Sequence, residues 1–178
     1  MAQGSDSRLM IDEDFFGAGS TLAATTAPPI ALGGLNVVGQ GIAETDSGAP
    51  RMDSDGLNGV IQLTTTNEDV HAAGLQSATM FDVALMGSIV LEARVRQAAL
   101  NTGEVFIGFS DVNTDLAIIE GAICHGDTIT VTLTASDLVG FLMASDLTDN
   151  SDWHGVYNGG TTTGETTSTS VDFDAGAT

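Results

Sequence analysis

The clearest pattern of apolar and polar positions runs along residues 88–97. Apolar residues take one side and charged residues the other, with Leu91, Ala93 and Val95 alternating with Glu92, Arg94 and Arg96. A period of two is typical of a β-strand with one buried face. After a turn at 101–103, a second strand is predicted at 104–110. One of its faces carries Val105, Ile107 and Phe109. Two strands joined by a short turn predict an antiparallel hairpin.

Shorter runs of valine, isoleucine, leucine and threonine lie between turn residues along the rest of the chain. They predict further strands at 35–38, 59–66, 128–134, 139–144, 155–158 and 170–173. In the strand at 128–134, threonines alternate with Ile129, Val131 and Leu133, which predicts that these three side chains point inward. Residues 78–86 fit a short helix or a strand. Several short strands separated by turn residues predict an all-β sandwich.

The length of the chain and its end segments predict its organisation. A chain of 178 residues lies within the usual range of one domain, so residues 14–178 are predicted to form a single β-sandwich domain. Residues 1–13 are polar or mixed in character and are predicted to form an extended N-terminal arm. Residues 161–170 are almost all threonine or serine. Such a composition indicates a loop or an extended strand in the C-terminal segment of the domain.

The composition of the chain argues against two classes of partner. The chain has 24 acidic residues, four arginines and no lysine, so its formal charge is −20. Nucleic-acid binding requires basic side chains on the phosphates, and anionic membranes attract the same side chains, so neither is an expected partner. Hydrophobic residues make up 42% of the chain. That fraction is enough for a core and distinguishes the chain from a disordered acidic tail.

Three acidic loops are candidates for calcium, which prefers about six to eight oxygen ligands. They are residues 53–56, residues 146–152, and the set Asp111, Asn113 and Asp115. The last set is spaced like the start of an EF-hand, but Leu116 replaces the glycine of that motif and Ala122 replaces its final glutamate. An EF-hand is therefore not predicted. Aspartate and asparagine also satisfy backbone groups in turns, and this interpretation is favoured for every loop, with calcium as the alternative.

Signals for catalysis are missing from the sequence. His71, His125 and His154 lack the spacing of a zinc site. Cys124 precedes His125, but neighbours in a strand point to opposite faces, so we predict a buried, inert cysteine. The chain has no G-x-S-x-G motif and no pair of acids on one strand face for sugar hydrolysis. We therefore predict no catalytic residues, and a glycan hydrolase is the least favoured hypothesis.

Trp153 and Tyr157 are the two aromatic residues with a possible binding role. Trp153 follows an acidic loop, and such a tryptophan can stack on a sugar ring. A tryptophan that closes the edge of a sheet instead contributes a large buried area. The core interpretation is favoured. The alternative is a lectin-like module that binds glycans through Trp153 and Tyr157 with the help of calcium in an acidic loop.

Two long segments carry a resemblance to a known group of proteins. They are GSIVLEARVRQAALNTGEVFIGFSDVNTD at 87–115 and DLVGFLMASDLTDNSDWHGV at 137–156. The "EARV" strand, the "VFIGFSD" strand and the "VGF…D…WHGV" stretch resemble a group of tailed-phage virion proteins, over residues 57–157. The resemblance implies an antiparallel, lectin-like jelly-roll β-sandwich. Such jelly rolls continue past the WHGV stretch with several more strands, whereas only about 20 residues follow here, mostly Thr, Ser and Gly. Either the sandwich is abbreviated or a neighbouring subunit completes it.

The resemblance also implies a role and a location. We expect a non-enzymatic structural protein on the outside of a phage head, a capsid decoration (cement) protein that stabilises the shell. The expected partners are the major capsid protein and further copies of the chain, as a homo-oligomer such as a trimer. The resemblance carries over no catalytic residue and no cofactor. The expected location is the capsid surface of the virion, after assembly in the host cytoplasm.

Overall fold

The computed structural model describes residues 30–32, 34–40, 51–52, 59–65, 71–77, 88–97, 99, 102–114, 119–159 and 172–174. The chain divides into two compact units, residues 1–82 and 83–178. Almost all regular structure in the described residues is β-strand in antiparallel sheets, with one π-helical turn at Ile119–Ile123. The predicted all-β fold is confirmed. The predicted arm and the single domain over 14–178 stay predictions.

The first unit contains two small antiparallel sheets. Strands β1 (Ile30–Leu32), β2 (Leu35–Val38) and β5 (Gly74–Gln76) form one sheet in the order β1-β2-β5. Strands β3 (Arg51–Met52) and β4 (Ile61–Gln62) form the other. Val37 is completely buried, with Ile61, Leu63, Ala73 and Leu75 packed around it.

The second unit is built on a four-stranded antiparallel sheet and a hairpin. The sheet contains β6 (Glu104–Ser110), β9 (Leu138–Ala144), β10 (Asp152–Asn158) and β11 (Asp172–Asp174), in the order β11-β10-β9-β6. The hairpin consists of β7 (Cys124–Asp127) and β8 (Thr130–Leu133). It directly follows the π-helical turn.

The core of the second unit lies between one face of the sheet and the hairpin. The sheet contributes Leu138, Leu142, Ala144 and Val156, and the hairpin and nearby loops contribute Cys124, Val131, Ala135 and, from the loop between β9 and β10, Leu147. All of these are at most 4% exposed. Burial stabilises the fold by roughly 1.5–3 kcal/mol for each large aliphatic side chain of this kind.

A pair of glycines lets β6 and β9 approach closely on the core side. Gly108 lies opposite Gly140 in the register, and the ring of Phe106 covers both. A Cβ on Gly108 would be 2.8 Å from the Phe106 ring, and one on Gly140 would be 2.9 Å from it. Phe106 in turn packs against the core. Glycine is therefore required here by space.

The predicted strand at 88–97 is wrong, and so is its hairpin with 104–110. No strand forms in 88–97, and most of its side chains are exposed, with Val90 at 88%. β6 pairs instead with β9 over all seven of its residues. An alternating pattern shows that a segment suits a half-buried strand, but the choice of partner depends on packing across the sheet. β9 supplies a glycine opposite Gly108 and Leu142 for the core, which 88–97 does not.

The bounds of most other predicted strands agree better with the structure. Those at 35–38 and 104–110 are confirmed residue for residue, and those at 139–144 and 155–158 begin earlier, at Leu138 and Asp152. Of the described residues 59–65 in the predicted strand 59–66, only Ile61–Gln62 form a strand, and β11 overlaps the prediction at 170–173. Four strands were not predicted, namely β1, β3, β5 and β7.

The prediction at 128–134 is wrong at its start. β8 begins at Thr130, and Val131 is buried as expected, but Ile129 is 55% exposed. Thr128 has a φ of 57°, which breaks the strand and turns Ile129 outward. The Thr128 N–H donates to the Asp146 carbonyl at 2.9 Å, so its hydrogen bond goes to a loop.

Some predictions fall outside the described residues. They include the arm at 1–13, the helix or strand at 78–86 and the low-complexity segment at 161–170. In the described part of the chain, no helix has the length and apolar character needed to cross a membrane.

Candidate functional site

The four-stranded sheet has a second face, directed away from the hydrophobic core. Because successive residues in a strand point to opposite faces, the residues between the core positions lie on it. We call this surface the outer face. On β6, β9 and β10 it comprises Val105, Ile107, Phe109, Val139, Phe141, Met143, Trp153, Gly155 and Tyr157. None of them is charged at neutral pH.

The strand register aligns these residues in rows. Val139 lies opposite Phe109 on one side and Tyr157 on the other. In the next row, Phe141 lies between Ile107 and Gly155. Side chains directly opposite each other in an antiparallel pair are close enough to interact. Each row is therefore a continuous apolar strip across three strands.

The outer face is open to solvent along these two rows. Val139 is 48% exposed, Phe141 45% and Tyr157 42%. Ile107, Phe109 and Trp153 are half-buried, and Met143 is almost completely buried. Contiguous exposed apolar surface is typical of an interaction site. On a chain with a formal charge of −20, this uncharged surface is the strongest candidate for one.

The structure brings the predicted glycan-binding residues onto this same face. Trp153 and Tyr157 lie on one side of β10, separated by Gly155, which has no side chain. Trp153 is half-buried and lies opposite Phe173 of β11. Tyr157 is the more accessible of the two. Nothing in the described contacts links either ring to an acidic loop.

The predicted calcium set lies at the end of β6. Asp111 and Asn113 are exposed, and Asp115 lies outside the described residues. The Asp111 N–H donates to the Asp137 carbonyl at 2.9 Å, and the Asp137 N–H donates to Asp111 Oδ1 at 3.3 Å. These two bonds extend the pairing of β6 with β9 by one residue, so the Asp111 carboxylate satisfies a backbone N–H at the end of the sheet. In the part of the chain that the structure describes, no three His, Cys, Asp or Glu residues form a group able to hold a metal ion.

The acidic loop between β9 and β10 is also closed by local hydrogen bonds. Asn150 Nδ2 donates to the Ser145 carbonyl at 3.3 Å. His154 is fully buried, and its Nε2 donates to the Asp149 carbonyl at 3.0 Å, while its Nδ1 has no hydrogen-bond partner. A carbonyl oxygen can only accept, so Nε2 carries the hydrogen of this bond. This histidine holds the loop against β10. The loop at 53–56 lies outside the described residues.

Cys124 and His125 do not form a catalytic pair. Cys124 is completely buried, as predicted, and burial together with the nearby Glu104 carboxylate raises the pKa of its thiol to about 12. His125 Nδ1 is instead 2.9 Å from Glu104 Oε1, which also accepts a hydrogen bond from the Gly126 N–H at 2.9 Å. Glu104 thus joins the start of β6 to β7. A thiol with so high a pKa is a poor nucleophile.

The main residues of the outer face, Val139 and Phe141, were not among the site residues predicted from the sequence. A signal was present, because residues 138–144 read LVGFLMA and are apolar at every position except the glycine. A strand that is apolar on both faces is typical of one covered on both sides. The pattern therefore indicated a second contact surface.

Comparisons with protein-family models, with curated proteins and with solved structures found no match to this chain. The outer face is therefore interpreted from its own residues and from the charge of the chain. The resemblance to phage virion proteins stays an expectation.

Proposed function

We propose that the chain is a non-enzymatic structural protein of a tailed-phage particle, a decoration (cement) protein with a lectin-like jelly-roll fold on the outside of the head. The observation that carries the proposal is the outer face, an exposed and uncharged apolar surface on a strongly acidic protein. Such a face suits permanent contact with another protein better than it suits a soluble substrate.

The charge of the chain supports the same location. At −20 the protein is repelled by packaged DNA and by other acidic surfaces, so it belongs on the outside of a DNA-filled shell. Assembly must then depend on contacts that avoid carboxylates. The outer face provides contacts of that kind between protein subunits of the particle. A protein that binds the assembled shell but not its unfolded subunits stabilises the shell by mass action.

A heating experiment on phage particles tests this role. Particles with and without the protein are heated in parallel, and DNA release is followed by the fluorescence of a DNA-binding dye. We expect release at a lower temperature without the protein and recovery when purified protein is added back. Equal release temperatures in all three samples would contradict the cement role.

A second candidate function is favoured by the placement of Trp153 and Tyr157 on one face of β10. A lectin-like module would stack sugar rings on these side chains, with Phe141 beside the gap left by Gly155. In this reading the protein is an adhesion or fibre component of the virion, assisted by calcium.

Glycan binding is separated from the cement role by a glycan array and a calcium titration. If the protein binds glycans, we expect the wild type to be retained on the array and Tyr157→Ala not to be retained. Calcium should then raise the melting temperature, and EDTA should reverse the rise. If the wild-type protein binds no glycan and calcium leaves its melting temperature unchanged, this second function is wrong and only the structural role remains.

A further inference from the structure

We infer that the outer face is the contact between two copies of this chain, related by a two-fold axis that runs parallel to β9 and β10 and lies between them. The inference deepens the proposed structural role, on which it rests, by naming the occupant of the face. It follows from three properties of the face: its lack of charge, the arrangement of its side chains in rows, and an exposed aromatic residue that lies opposite a glycine.

The absence of charge favours a second copy. Every contact between two copies brings together chains of −20 each, and like charges that meet without a partner cost free energy. The outer face is apolar across both exposed rows, so two copies can meet there without burying a carboxylate. Apolar burial then supplies the attraction that electrostatics does not.

The rows make the face complementary to itself. A two-fold axis between β9 and β10 places each β9 position of one copy over the opposite β10 position of the other. Val139 then lies over Tyr157 of the second copy, and Tyr157 lies over Val139, because the two are register partners within one chain. A two-fold contact requires this reciprocity.

In the second row, a protruding aromatic side chain lies beside a gap where a side chain is missing. Phe141 is 45% exposed, and its register partner on β10 is Gly155, which has no side chain. The same axis places Phe141 of each copy over Gly155 of the other. An aromatic side chain that fills a central gap is the usual anchor of a protein interface. The exposed aromatic residue and the gap are therefore complementary between two copies related by this axis.

Sedimentation equilibrium of the purified full chain tests the inference. We expect a dimer for the wild-type protein and a dissociation constant at least about thirtyfold higher for Phe141→Ser, since truncation of a central aromatic anchor typically has an effect of that size or more. The matched control is Ile129→Ser. Ile129 is also an exposed aliphatic residue, at 55%, but it lies on the β7–β8 turn, so this variant should dimerise like the wild type.

A second variant distinguishes a specific contact from general stickiness. Gly155→Val makes the face more apolar but fills the gap, and valine is well suited to a strand. If the contact is the specific two-fold one, Gly155→Val should raise the dissociation constant of the dimer. If the surface is merely sticky, the same variant should lower it. Circular dichroism of each variant confirms that it is folded.

The sedimentation results of the wild type and the three variants either support or overturn the two-fold contact. A dimer that is weakened by both outer-face variants and unchanged by Ile129→Ser supports the inference. A monomer at all concentrations, a trimer, or a dimer that tolerates Phe141→Ser overturns it. Because purified protein is used without particles, these results do not depend on the cement role, which the heating experiment tests by itself.

Discussion

Thr128 is the only non-glycine residue at positive φ in the described part of the chain. A β-branched side chain is strained in this conformation, and the surrounding loop holds it there. The Thr128 carbonyl accepts a hydrogen bond from the Thr148 N–H at 2.6 Å, and its N–H donates to Asp146. These two hydrogen bonds therefore hold the β7–β8 turn on the loop that follows β9.

Replacement of Thr128 by glycine should relieve this strain. The left-handed conformation costs an L-residue about 1–2 kcal/mol, and the greater freedom of glycine in the unfolded chain offsets about 0.5–1 kcal/mol of the gain. We expect Thr128→Gly to raise the free energy of unfolding by roughly 0.5–1 kcal/mol in urea denaturation. Thr130→Gly, in the regular strand β8, is the control and should lower it. Equal losses in both variants would show that Thr128 is not strained.

Cys124 should be chemically silent in the folded protein. The pKa of its thiol is raised from 9.0 to about 12, chiefly by burial and further by the Glu104 carboxylate. At pH 8 the folded state then holds about a thousandfold less thiolate than the unfolded chain. We expect labelling by Ellman's reagent to be slower by about that factor without denaturant. Rapid labelling of the native protein would contradict the burial.

The same pKa shift predicts the direction of the alkaline response. The folded state binds the thiol proton more tightly than the unfolded chain does. The contribution of Cys124 to stability is therefore fully present below pH 9 and is lost as the pH rises toward 12. Cys124→Ala should remove this part of the alkaline loss, measured as the urea midpoint against pH.

The pairing of β6 with β9 depends on the glycines at 108 and 140. Their backbones approach each other under the Phe106 ring, so an added methyl group must displace either the ring or a strand. Alternation in the sequence does not reveal this requirement. The close approach of the two glycine backbones explains why β9, and not the alternating segment at 88–97, is the partner of β6.

Gly140→Ala should therefore destabilise the sheet. Extra volume in a tightly packed site typically costs about 1–3 kcal/mol, and we expect a loss of that size in urea denaturation. Gly74→Ala is the matched control, because a Cβ there would be an ordinary 3.7 Å from Val38 Cγ2. It should leave stability nearly unchanged. If both variants behave alike, the close approach of β6 and β9 is not the cause.

For the whole molecule, the charge of −20 governs association and its dependence on salt. Two copies joined at their outer faces still repel each other through the rest of their surfaces. Screening shortens the reach of this repulsion from about 10 Å at 0.1 M salt to about 3 Å at 1 M. Apolar contact is not weakened by this screening.

We therefore expect self-association to strengthen as sodium chloride is raised from about 0.1 M to about 1 M. Sedimentation equilibrium across that range measures it. An interface based on ion pairs would weaken over the same range, and that result would show that the outer face is not the contact. Phe141→Ser should show little association at either salt concentration.

Sequence alone determined the all-β class, the strands at 35–38 and 104–110 and the burial of Cys124, because these depend on composition and on local periodicity. Only the tertiary structure decided the partner of β6, the turn at Thr128 and the exposure of Val139 and Phe141. A period of two assigns a residue to a face of a strand, but whether that face is covered depends on segments far away in the chain. The apolar run at 138–144 indicates a second contact surface, but only the folded sheet shows that the outer face is exposed at Val139 and Phe141.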